Sequence, residues 1–381
     1  MSDLPLDRRV RDALRPHISR DPEAIGASAA APGAHVMVWR NGELECDVCM
    51  GYAQLVGGER AMPDEPVFDL ASVTKAIVPA TLLMQAVDEG RVSMDTPVSD
   101  VMPEWRGAPG GDNHATMLQL ANHSSGLPAW HRYYDAFSYD VTPERFLTQR
   151  DAIRAQVMRT PRRGRGGRAY TYSDLGYIVL AWALERVLSG EERSISELAR
   201  QRIFEPLGME SARYVDFIAG DAALRDAVAT EDCPLRGRVL VGEVHDDNTS
   251  VMGGVSGHAG CFATARDVGK FAEHIRRVDC GDPGIVSQRV LQFCWSEAAR
   301  GAHGHHLGGW DTPSGPRTSV GRGFGKRSTV GHLGFTGTSV WVERALGVVA
   351  VALTNRVHPT RENPRILELR IDVHEAACPP A

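Results

Sequence analysis

The chain has 381 residues, 43% hydrophobic and 24% charged, an ordinary globular composition that excludes wholesale disorder and collagen-like repeats. The longest nearly unbroken apolar run, Ala345 to Leu353, is nine residues, against the roughly 18 to 20 that a membrane-spanning helix needs. A net charge of −6 gives no support to a nucleic-acid or anionic-membrane partner.

The N-terminus lacks the basic region, apolar core and small-residue cleavage site of a secretory signal, so the chain reads as cytoplasmic unless an export segment has been removed. Asp7 to Ile18 has the pattern of a short amphipathic helix, and Ala24 to Gly33 is an Ala/Gly/Pro-rich connection. A hairpin follows: Ala34 to Arg40, the turn pair Asn41-Gly42, and Glu43 to Ala53. Cys46 and Cys49 have CxxC spacing, but residues three apart on a strand face opposite ways and do not share a metal or a disulfide easily. With seven cysteines, an odd number, scattered through a large chain, reduced thiols in a reducing compartment are expected.

Ser72 to Gly90, Ser173 to Leu188, Ile195 to Phe204 and Asp267 to Val278 carry helical periodicity between Gly/Pro loops. Two loop segments are unusual. Arg159 to Arg168 holds five arginines among glycines but no interleaved aromatics, so it reads as a solvated surface loop rather than an RNA-binding segment. Gly301 to Gly334 is glycine-rich and contains His303, His305 and His306, with no acidic partner at metal-ligand spacing; it too reads as mobile loop, and no metal is expected. Thr338 to Glu343 and Gly347 to Thr354 are strands, and Pro364 to Ala377 is a closing helix. The fold class is therefore α/β, of α+β type: an antiparallel sheet built from both chain ends with flanking helices, plus an inserted, mainly helical region. The expected lobes are 1–115 with 265–381, and 116–264.

The chemistry gathers at Ser72-Val-Thr-Lys75, where one of only three lysines lies a helical turn after a serine at a helix start. A serine hydroxyl becomes a competent nucleophile when a neighbour accepts its proton, and a helix N-terminus and partial burial both favour a neutral lysine able to do so. Tyr172-Ser173-Asp174 places a tyrosine just before another helix. Gly331-His-Leu-Gly-Phe-Thr-Gly-Thr338 opens a strand with a basic residue and a glycine.

These three segments, with 100 residues from Ser72 to Tyr172 and 160 from Tyr172 to His332, resemble the S-x-x-K, Tyr/Ser and K-T-G pattern of serine β-lactamases and penicillin-binding proteins, in particular the class C and esterase branch. The phrases around them extend the resemblance from about Ala34 to Asn355: Phe68-Asp-Leu-Ala-Ser-Val-Thr-Lys75, His123-Ser-Ser-Gly-Leu-Pro128, Val244-His-Asp-Asp-Asn248 and Gly308-Gly-Trp-Asp311. The resemblance implies a serine hydrolase with no cofactor. Ser72 is its nucleophile, Lys75 and Tyr172 share the proton transfers, and the backbone N–H groups of Ser72 and Phe335 form the oxyanion hole. It implies substrate contacts at Asp174, His332, Leu333 and Gly334.

Three departures bear on the substrate, taken to be a small ester or amide. Asp174 stands where many relatives have asparagine and loses an amide donor. His332 replaces lysine and should change charge between pH 6 and 8. Leu333 replaces a hydroxyl residue that helps bind a carboxylate, a loss that the Arg159–Arg168 loop is expected to offset in part. The alternatives are a D-amino-acid-specific peptidase or weak β-lactamase, and a catalytically idle member that binds a ligand or partner. The oligomeric state is not legible.

Overall fold

The computed structural model describes residues 4–107, 114–301, 304–315 and 317–379. Its centre is an eight-stranded antiparallel sheet. In chain order the strands are β1 (Gly33–Arg40), β2 (Glu43–Gln54), β3 (Arg60–Ala61), β4 (His306–Leu307), β5 (Trp310–Asp311), β6 (Thr329–Leu333), β7 (Ser339–Glu343) and β8 (Val348–Thr354). Their spatial order is β3-β2-β1-β8-β7-β6-β5-β4, so the two ends of the chain meet at the β1–β8 pair, where Ala34 opposes Thr354 and Arg40 opposes Val348.

The expected hairpin is present, and its turn needs the residues it has: Asn41 and Gly42 sit at φ +50° and +92°, a left-handed geometry that these two types tolerate. Cys46 is buried in the sheet while the Cys49 Sγ reaches Pro63 O, and all seven cysteines are free thiols.

Alternation along the strands sends Val36, Val38, Trp341 and Ala350 to one face, under the helices Leu6–Leu14 and Ile366–Ala377. It sends Met37, Trp39, Val340 and Val351 to the other, under the helix Ala265–Asp279 and the helical region beyond it. Gly269 lies against the Trp39 ring, where a Cβ would come within 2.0 Å of the indole.

Residues 116–264 carry the helices Met117–Ala121, Pro143–Arg159, Asp174–Ser189 and Ile195–Ala199, with a small hairpin of Ala229–Cys233 and Arg238–Val241. The Pro143–Arg159 helix was not anticipated. The helix after Ser72 runs Val73–Lys75, widens into π turns over Ala76–Ala80 around Pro79, which has no N–H to donate, and continues as Thr81–Asp88.

Two loop expectations need correction. The Arg159–Arg168 segment is a surface loop as expected, with Arg159, Arg163, Arg165 and Arg168 exposed, but it is anchored: Arg162 is 5% exposed, lies 4.0 Å over the Trp105 ring and donates to Trp105 O, and the Gly167 N–H donates to Ser124 O. The Gly301–Gly334 segment supplies three strands and a buried His306, while His303 lies outside the described residues.

Candidate active site

A short elbow sets Ser72 at its helix start. Ala71 is held at φ +46°, an uncommon conformation for a residue with a Cβ. The buried Asp69 carboxylate holds it there, accepting the Ala71 N–H at 2.8 Å and the His245 N–H at 2.7 Å; burial raises the Asp69 carboxyl above its usual range.

The same elbow is tied to the strand β6 turn. Thr336 Oγ1 donates to Asp69 O and Thr338 Oγ1 to Leu70 O, at 2.7 and 2.9 Å. Gly334 is required in that turn, since a Cβ would meet Thr338 Oγ1 at 2.0 Å and Leu70 O at 2.5 Å. Ser72 and Phe335, on the two segments so tied, line the same cleft. Among the described residues, neither of their backbone N–H groups donates to the protein, as an oxyanion hole requires.

Lys75 is fully buried one turn after Ser72. Its Nζ lies 2.8 Å from Ser72 Oγ, 2.9 Å from His258 O and 2.8 Å from Asp174 Oδ1. Ser72 Oγ and His258 O accept hydrogen bonds from this nitrogen, and Asp174 Oδ1 stands at ion-pair distance. The contact to Asp174 is a charge pairing rather than an aligned hydrogen bond.

The Tyr172 ring stands 5.1 Å from Lys75 Nζ. Burial, then the Asp174 charge, push its phenol well above the usual value against a weaker downward pull from its hydrogen bond with Ser72, so it holds its proton at neutral pH.

Ser72, Tyr172, Asp174, Leu333, Gly334 and Phe335 all line one cleft of about 460 Å³. His332 does not. It is 2% exposed, its Nδ1–H donates to Leu333 O at 2.9 Å, and its ring faces Tyr172 and His306. Burial, then Lys75, push its imidazole down to about 3, so the expected change of charge between pH 6 and 8 does not occur there. Asp174, read from sequence as a substrate contact, borders the cleft but is committed to Lys75.

Sequence reasoning missed two groups. Arg356 and Arg370 line the wall beyond Gly334, and among the described residues neither has an ion-pair partner; Arg361 beside them is neutralised by Glu231 and Asp247. Arg370 donates to Gly334 O and Thr338 O, and Arg356 to Phe335 O. Burial lowers the two guanidiniums to about 9 and about 10, which leaves both charged at pH 7. No sequence signal marks them, because they lie in the last 26 residues, outside any motif. The Arg159–Arg168 loop, expected to play this part, does not line the cleft.

The second group is His123, His306 and His332. Each is buried, and each has a ring nitrogen within 4.8 Å of the others'. That spacing resembles a metal site, but the Ser173 N–H donates to His123 Nδ1, which places the His123 proton on Nε2 and blocks it as a ligand.

The chain belongs to the beta-lactamase family, whose profile matches residues 13–375. It is 26% identical over 377 residues to an N-acetylmuramyl-L-alanine amidase of Bacillus subtilis (strain 168), covering 90% of this chain and 82% of the relative. It is 25% identical over 366 residues to a putative D-alanyl-D-alanine carboxypeptidase of Salmonella agona (strain SL483), covering 89% and 82%. Among solved structures, EstCE1, a hydrolase with promiscuous acyltransferase activity, superposes with a TM-score of 0.72 at 18% identity, covering 98% of this chain and 99% of that one.

Proposed function

We propose that this protein is a serine hydrolase that cleaves a small ester or amide through an acyl-enzyme on Ser72, in a cleft between a sheet lobe (1–115 and 265–381) and a helical lobe (116–264). The observation that carries this reading is the fully buried Lys75 Nζ, 2.8 Å from both Ser72 Oγ and Asp174 Oδ1. As Ser72 Oγ bonds to the substrate carbonyl carbon, its proton passes to Lys75 Nζ and Lys75 releases one of its own to Asp174, so the ammonium is preserved. The carbonyl oxygen, now an anion, receives the Ser72 and Phe335 N–H groups. The Tyr172 phenol gives its proton to the leaving group and is reprotonated from Asp174 through Lys75. Water then takes the leaving group's place, with the transfers reversed. The family membership and the names of the relatives, an amidase and a carboxypeptidase, support hydrolysis of an acyl bond.

A second reading, a D-amino-acid-specific peptidase, is favoured by Arg356 and Arg370. Two guanidiniums without carboxylate partners in a partly dry wall suit a substrate carboxylate. Free thiols at all seven cysteines support a cytoplasmic setting, and among the described residues no helix is long and apolar enough to cross a membrane.

The test is a fluorophosphonate label, mapped by mass spectrometry after digestion. The adduct is expected on Ser72. A folded sample that takes no label, or takes it elsewhere, points to the idle, ligand-binding member.

A further inference from the structure

Tyr172 lies in a stretch, residues 169–173, that is neither strand nor helix, so no ladder of backbone hydrogen bonds fixes it. His123 takes that part. Its backbone carbonyl accepts the Thr171 N–H at 2.8 Å, and its Nδ1 accepts the Ser173 N–H at 2.9 Å. The two amides that flank Tyr172 are therefore held by one residue. The His123 ring also packs on the tyrosine ring, with centroids 4.2 Å apart.

The backbone of His123 is left-handed, φ +57°, a conformation most side chains avoid and one that persists where the surroundings enforce it. Only 1% of the residue is exposed. An amide N–H can only donate, so Nδ1 must be unprotonated. Burial, then His306, Lys75 and His332, hold the ring neutral. Beyond it, Ser173 caps the helix Asp174–Ser189, accepting the Gly176 N–H and donating to Pro128 O. The clamp thus fixes the chain on one side of Tyr172 and the helix cap fixes it on the other.

We propose that His123 is a positioning residue for the acid–base tyrosine, setting the Tyr172 hydroxyl against Ser72 through paired hydrogen bonds to the amides of Thr171 and Ser173. The proposal rests on the reading of Tyr172 as the proton donor to the leaving group. A displacement of about 1 Å in such a group costs on the order of 10²-fold in rate.

Two substitutions separate the clamp from mere packing. His123→Gly accepts positive φ and keeps the carbonyl, but loses Nδ1. His123→Asn also tolerates positive φ, and its Oδ1 stands where Nδ1 stood. With an alkyl ester, whose alkoxide leaving group needs a proton, His123→Gly is expected to lower kcat about 30- to 100-fold with KM within about threefold, and His123→Asn to recover at least about tenfold of that loss. In a Tyr172→Phe background, His123→Gly should cost less than about threefold more, because the group it positions is gone. Thermal melts accompany each variant. If the glycine variant does not fold, a folded His123→Asn near wild-type activity is the supporting result, and one that has lost more than about tenfold overturns the proposal. A full His123→Gly effect in the Tyr172→Phe background also overturns it, as does equal activity of His123→Gly and wild type. Failure of the underlying reading shows separately, as an active Tyr172→Phe single variant.

Discussion

Lys75 Nζ stands 2.8 Å from Asp174 Oδ1 in a position where the lysine is fully buried and the carboxylate borders the cleft. One lysine thereby joins Ser72 to a carboxylate. Asp174→Asn keeps the shape and removes the proton acceptor. It is expected to lower kcat/KM for an activated ester by roughly 10- to 100-fold, within the range for a lost proton-transfer group. Steady-state kinetics check this, and unchanged activity would leave Asp174 as a simple counter-ion.

Lys75→Ala and Tyr172→Phe should each slow acylation by roughly 10² to 10⁴ without unfolding the protein. Because they pass the same proton, the double variant should be little worse than the poorer single one. Stopped-flow acylation of all three variants measures it, and additive losses would mean that the two side chains work independently.

For the substrate, two features of the wall act in opposite directions. Leu333 cannot donate to a carboxylate, whereas Arg356 and Arg370 can. Short p-nitrophenyl esters, which carry no carboxylate to be bound, are expected to outpace a penicillin or a D-Ala-D-Ala peptide. Leu333→Thr should improve the carboxylate-bearing substrates selectively, by about tenfold or more. Arg356→Met should impair them by a similar factor and leave p-nitrophenyl acetate within about threefold. If Arg356→Met affects both classes alike, the arginine only supports the Phe335 carbonyl it already holds.

Acid stability follows from buried neutral histidines. Burial holds His332 down to about 3 and His374 to about 4, with His123 and His306 also well below the free value. The folded values lie below the unfolded one of about 6.5, so this stability is complete above pH 6.5 and is lost as pH falls toward 3 to 4. At pH 5 one such histidine has surrendered about 2 kcal/mol. Asp311, pushed up to about 7 by burial, works the other way: its contribution is present at low pH and lost as pH rises through 7. With four histidines opposing it, Tm should fall between pH 7 and 5, and His374→Gln, whose residue does not line the cleft, should flatten that fall. Calorimetry across this range decides, and a Tm that rises toward pH 5 would mean that the carboxyls dominate.

Local chemistry made part of this fold legible. Asn41-Gly42 specified a turn only such residues make easily, strand alternation separated Cys46 from Cys49, and the Ser72–Lys75 spacing put both side chains on one helix face. The helix Pro143–Arg159 escaped notice because its buried stripe includes Gln149 and Arg154, which break the apolar period. Those polar groups find partners outside the helix: Arg154 pairs with Glu185 at 2.6 Å, and Gln149 bonds the backbone of Ser138 and donates to Val251 O. Strands β4 and β5 have two residues each, too few for any periodicity to register. His123, His306 and His332 come together from segments up to 209 positions apart, and nothing within one segment marks the others.

The pairing of β1 with β8 has a consequence for how the molecule is made. Three strands precede residue 62 and five follow residue 305, and the two groups join only through the last strand of the chain. Until residue 354 is available the first hairpin presents an unpaired, largely apolar edge, the kind of surface that recruits other chains. Ser72 and its elbow are synthesised long before the Thr336 and Thr338 side chains that tie them down. A chain that stops short of residue 336 thus carries the serine and the lysine without the turn that ties their elbow down, and closure of the sheet and completion of the cleft both wait on long-range contacts made late in the chain.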